Sequence, residues 1–168
     1  EKVVDWDSSL RVAAKLKDVI AIKRAAVQFF IRGQDSKSAR AFAQSGEALA
    51  SARVAQGAGD SEFAMNQYDF WLKSNPKSPD RARVLLGFGK LAAKSGNSSV
   101  AEKSFEACAR EKKSSAAAEC VMEWTRIAKQ ARKSGTLEKL AQEFKSPRAS
   151  FEIFKSKWSN TKYAPVTL

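Results

Sequence analysis

Leu85-x-x-Phe88-Gly89 … Gly96 … Ala101-x-x-x-Phe105-x-x-Cys108 is the stretch on which the fold turns. Large apolar residues lead to a small one at Gly89, and a second glycine follows at Gly96. A small residue and an aromatic, Ala101 and Phe105, then stand four apart. Apolar residues at three- and four-residue steps on both sides of a glycine predict two helices joined by a tight turn. The same frame recurs upstream, where Ala52, Ala55 and Gly59 lead to Ala64-x-x-x-Tyr68 and Pro76 closes the unit. It recurs downstream, where Trp124-x-x-Ile127-Ala128-x-x-Ala131 leads to Gly135, Leu140 and Phe144. These matches place helix–turn–helix repeats at about 45–78, 82–115 and 121–154.

Such a repeat has a simple physical logic. A glycine or alanine lets the two helices of a hairpin touch, and the later small residue is a groove for the partner helix. The aromatic plugs the gap to the next hairpin. Each hairpin leaves an apolar face uncovered, so several must stack. On these residues the chain resembles the tetratricopeptide repeat family over about 45–154. The resemblance implies an all-α, right-handed α-solenoid of antiparallel hairpins, with about three repeats in a single domain over 1–168. Departures are Leu140 where a small residue belongs, Pro147 inside the last repeat, and repeat spacings longer than the family's 34 residues.

Working outward, the pattern predicts eight helices. A first helix after Asp7-Ser8-Ser9 runs to about Ile31 and ends at Gly33, giving a long N-terminal capping helix within 1–34. Its apolar stripe is Val12, Leu16, Val19, Ile20, Val27 and Phe30, with Ile22 and Phe29 on a second face. A small-residue-rich helix spans about 35–57, and a third spans about 60–73. Asn75-Pro76-Lys77-Ser78-Pro79 breaks the chain. Helices at about 80–95, 98–112, 115–133 and 136–145 follow, with breaks at Gly96-Asn97, Lys113-Ser114 and Gly135. Ser146-Pro147 opens a C-terminal capping helix to about Trp158, as an N-cap with proline in the first turn. The C-terminal cap and tail cover 146–168, and the tail from Ser159 is expected to be loosely held.

Composition narrows the function. The 168 residues contain no histidine and two cysteines. That removes the usual general base near neutral pH and the commonest zinc ligand. No nucleophile–base set, phosphate-cradling glycine loop or metal-ligand spacing stands out, so the expectation is a non-enzymatic protein without cofactor or metal. The longest aliphatic run, Val19 to Ile22, is far short of the roughly 20 residues that span a bilayer. No signal peptide is visible, and the start at Glu1 leaves a processed or excised chain open. Net charge is +12, with +2 over residues 1–80 and +10 over 81–168. A positive field of this kind favours acidic proteins, nucleic acid or anionic surfaces.

In tetratricopeptide folds the first helix of each hairpin lines a concave groove. The resemblance implies that the residue after the small Gly or Ala faces it: Arg53, Lys90 and Lys129. Lys94, Arg132 and Lys133 extend this stripe by one turn, and Arg83 and Arg126 lie near it at helix starts. A basic column would hold an acidic or extended peptide by charge-assisted hydrogen bonds. The other reading is that these cations merely solvate exposed faces. The family's carboxylate clamp for chaperone tails is not expected, because Leu49, Arg53 and Gly87 stand near its polar positions and only Arg126 suits. Nucleic-acid binding by the basic C-terminal half is the alternative function. It is disfavoured because basic and aromatic residues are not interleaved on one face.

Cys108 and Cys120 flank the Lys113-Ser114 turn at nearly equal distances. A disulfide forms if both face inward; otherwise they are two buried thiols. A disulfide would argue for an oxidising compartment such as a periplasm, with cytoplasmic residence as the alternative. The four tryptophans read as core and inter-helix plugs, with Trp158 the candidate for an exposed anchor. Tyr68-x-x-Trp71-Leu72-x-x-Asn75-Pro76-x-Ser78-Pro79 also resembles bacterial envelope proteins of the outer-membrane assembly lipoprotein and Tol–Pal accessory type. That resemblance implies an exported bacterial protein within a multi-protein envelope or motility complex.

Overall fold

The structure, a computed structural model, describes the backbone of residues 4–111 and 113–159 and their side chains up to Ser156. Among the described residues there are ten α-helices and no strand. They are α1 (Trp6–Leu16), α2 (Val19–Ile31), α3 (Asp35–Gln44), α4 (Ala48–Gly57) and α5 (Ser61–Ser74). After the proline turn come α6 (Arg81–Lys94), α7 (Ser98–Arg110), α8 (Ala116–Gln130), α9 (Ser134–Gln142) and α10 (Pro147–Ser159). The chain divides into two compact units between Lys77 and Ser78, within the predicted break. In each unit helices adjacent in sequence pack on one another.

One turn type explains most of the boundaries. Gly33, Gly46, Gly59 and Gly96 have φ of 69°, 82°, 81° and 78°. The amide after each donates to a carbonyl five residues back: Gln34 to Phe29, Glu47 to Phe42, Asp60 to Ala55 and Asn97 to Ala92. This left-handed cap satisfies end carbonyls and starts the next helix within two residues. Two predicted helices are therefore split. The expected 35–57 helix breaks at Gly46. The expected first helix breaks at Lys17 (φ 55°), where Asp18 N donates to Ala13 O at 2.9 Å. Asp18 then caps α2 by accepting from the Ala21 amide at 3.0 Å. Gly135 is not a break but lies inside α9; the turn residue is Arg132, at φ 53°. A left-handed residue other than glycine costs about 1 kcal/mol, which the cap hydrogen bonds offset.

The predicted apolar stripe of the first helix is also corrected. Val12, Leu16, Val19, Ile20, Val27 and Phe30 are exposed, whereas Ile22 and Phe29 are buried. Ile22, Ala25, Ala26 and Phe29 face the core with Ala13 and Ala41. Because α2 is apolar around most of its circumference, periodicity could not say which side is covered.

Small residues set the packing in the first unit. Ala26, Ala39 and Ala52 recur every 13 residues and are fully buried. Ser38 Oγ donates to Ala26 O at 2.8 Å, and Ser51 Oγ repeats the bond to Ala39 O at 2.7 Å. In the second unit the ring of the fully buried Phe105 lies directly against Gly89. The aromatic thus fills the contact between α6 and α7, within its own hairpin rather than toward the next. Cys108 and Cys120 form a disulfide between α7 and α8, with Cα atoms 6.0 Å apart. Ser146 caps α10, its Oγ accepting from Ala149 N at 3.3 Å. Trp124 is buried and Trp6 and Trp71 are half-buried; the Trp158 side chain and the tail beyond Ser159 lie outside the described residues.

Candidate partner-binding groove

Helical geometry puts Lys90 and Lys94, one turn apart, on the same face of α6. On α8 it puts Arg126 and Gln130 on one face, with Ile127 and Ala131 beside them. The two helices lie side by side, and the trough between them has a volume of about 540 Å³. Ala93, Ile127 and Ala131 line it with apolar surface, while Lys90, Lys94, Arg126, Gln130 and Ser98 supply polar ends. Three predicted groove residues, Lys90, Lys94 and Arg126, therefore converge on one site.

Most of the predicted cations already hold a carboxylate. Lys90 pairs with Glu119 on α8, and Lys129 pairs with Glu152 on α10 at 2.7 Å. Arg126 pairs with Glu123 at 2.9 Å, and Arg83 with Asp80 at 3.5 Å, each within about one turn. Lys133 pairs with Glu102 on α7 and is not among the residues that line the trough. Arg132 sits exposed in the turn before α9. Arg53 lies in the first unit, exposed on α4, and its charge opposes the upward push that burial gives the Tyr68 hydroxyl pKa. Among the described residues, no carboxylate lies within ion-pair distance of Lys94, Arg132 or Arg53.

The pairs form a pattern that sequence reading missed. Lys23 with Glu47, Lys90 with Glu119, and Lys129 with Glu152 each join a helix to the next but one, or to its cap. Their separations are 24, 29 and 23 residues. Lys37 with Asp7 and Lys139 with Glu106 do the same from the neighbouring helices. No local spacing announces such pairs, because their distances depend on how hairpins stack. The pairs are at least partly exposed, where each contributes about 0–1 kcal/mol.

Glu106 anchors a denser network. It accepts from Lys139 Nζ at 2.7 Å and from Arg110 at 2.9 Å, and these hydrogen bonds hold its pKa below the ordinary glutamate value. Arg110 also meets Glu143 at 2.9 Å. Lys139 and Arg110 lie over the rings of Trp124 and Phe144, 5.5 and 5.7 Å from their centroids. This cluster ties α9 to α7 and α8, and its charges are internally matched, so it is structural. No protein-family model matches the chain. No curated protein matches its sequence.

Proposed function

We propose that this protein is a non-enzymatic interaction scaffold of tetratricopeptide-like, right-handed solenoid build, whose α6–α8 trough takes an acidic, extended segment of another protein. The observation that carries this reading is the convergence of Lys90, Lys94 and Arg126 over an apolar floor. Lys94 supplies a charge unmatched among the described residues, and Gln130 and Ser98 supply hydrogen-bonding ends. An extended peptide with alternating acidic and small apolar residues matches that lining. The fully buried Cys108–Cys120 disulfide supports an exported location, because such bonds persist in oxidising compartments.

The test is a binding titration with a fluorescent glutamate-rich peptide and, in parallel, a random oligonucleotide, at about 50 and 200 mM salt. Lys94→Glu combined with Arg126→Gln should weaken peptide binding about tenfold while the Tm stays put, since neither change breaks a contact between helices. Lys90 and Lys129 are poorer probes because reversing them sets like charges against Glu119 and Glu152. Unchanged peptide affinity in the double variant overturns the groove assignment. The net charge of +10 over residues 81–168 favours a second reading, nucleic-acid binding. Tighter oligonucleotide binding with a steep salt slope would establish it instead.

A further inference from the structure

The first unit carries an apolar surface with no counterpart in the trough. Leu16, Ile20 and Ile31 are 74%, 66% and 68% exposed, and Val12, Val27 and Phe30 are exposed with them. Leu16 ends α1 and Val19 and Ile20 open α2, so exposed apolar residues of both helices stand within two positions of the tight Lys17–Asp18 turn. At 100° per residue, Ile20, Val27 and Ile31 share the side of α2 opposite its buried face. A solvated helix with this much uncovered apolar area is expected to have an occupant.

The charges around it indicate which. Residues 11–32 contain six cations, Arg11, Lys15, Lys17, Lys23, Arg24 and Arg32, and one carboxylate, Asp18. Lys23 is paired with Glu47; among the described residues the other five have no carboxylate within ion-pair distance. Arg24 borders Ile20 and Ile31 on α2, and Lys15 borders Val12 on α1. A second copy of this face would bring two basic rims together, which charge repulsion opposes. An anionic lipid surface satisfies both features, taking apolar side chains into its headgroup boundary and cations onto its phosphates. Among the described residues no helix is long and apolar enough to cross a membrane, so contact would be in the plane of the interface.

We infer that the α1–α2 face is a docking surface for anionic lipid membranes, with Leu16 and Ile20 inserting and Lys15, Lys17 and Arg24 holding phosphates. It belongs to the first unit and does not depend on the α6–α8 trough.

The experiment is co-sedimentation of the full chain with phosphatidylcholine vesicles and with vesicles containing about one-third phosphatidylglycerol, alongside analytical ultracentrifugation of the protein alone. The expected result is partition onto the anionic vesicles only. Leu16→Glu with Ile20→Glu, and separately Lys15→Glu with Lys17→Glu, should each reduce it at least about tenfold. Both positions are exposed, so the Tm should hold. Lys94→Glu with Arg126→Gln should leave partition unchanged. Absence of binding to anionic vesicles overturns the inference. So does binding that survives the Leu16/Ile20 change but fails in the Lys94/Arg126 variant. A dimer that dissociates on the Leu16/Ile20 change, without vesicle binding by the parent chain, would assign the face to a second copy and also overturn it.

Discussion

Gly89 shows how much one position can decide. A Cβ built there would stand 2.6, 2.8 and 3.0 Å from three ring atoms of Phe105. That ring is fully buried, so it has no room to retreat. Alanine in a helix gains about 1 kcal/mol over glycine, but overpacking a closed core costs about 1–3 kcal/mol. Gly89→Ala should therefore lower stability by about 1 kcal/mol in denaturant melts. Gly57→Ala, at a helical site where a Cβ meets nothing within 4 Å, should be neutral or slightly stabilising. An increase in stability for Gly89→Ala would mean the α6–α7 contact is looser than described. That Gly89 marks a close approach between helices was legible in the sequence; that the Phe105 ring is what meets it was not, since the repeat pattern assigned that ring to the gap before the next hairpin. The covered face of α2 was not, since Ile20 and Ile22 are equally apolar and differ only in which neighbour reaches them.

At the scale of elements, glycine was an uneven guide to helix ends: Gly46 breaks a helix expected to run through it, and Gly135, expected to be a break, lies inside α9. Gly33, Gly59 and Gly96 ended helices as expected. Lys17 and Arg132 adopt the same left-handed turn without the residue that advertises it. The contact of α7 with α9 makes a pH prediction. Glu106 is held charged in the folded state by Lys139 and Arg110, so its pKa is lower folded than unfolded. Its contribution is then complete above the ordinary glutamate value of about 4.3 and is lost as pH falls through the depressed folded value. Glu106→Gln should cost about 0.5–1 kcal/mol at pH 7, and the gap to the parent protein should close in acid; thermal melts from pH 7 to 3 measure this. The α7–α8 disulfide closes a loop with a sequence separation of 12. Its removal by Cys108→Ala with Cys120→Ala should cost about 2–3 kcal/mol. Dithiothreitol should lower the Tm of the parent protein and leave the variant unmoved.

At the scale of the whole molecule, an all-helical chain of short hairpin-like elements and a break at 75–79 were determined by the sequence itself. Helices and caps are built from interactions between residues three to five apart, and those neighbours are written in order along the chain. The Cys108–Cys120 pairing, with a separation of 12, lay outside this range and stayed open until both side chains were seen to face inward. Tertiary structure alone decided the rest. It determined that Lys90, Lys94 and Arg126 share a trough while Lys133 pairs with Glu102 on α7. It also determined that Lys129 is matched by Glu152 and that the apolar side of α2 stays open. The reason is physical: the ion pairs that place Lys129 and Lys133, for example, join residues 23 and 31 positions apart. Such contacts are set by how helices stack, and a charge or an apolar stripe in sequence does not say what will be placed against it.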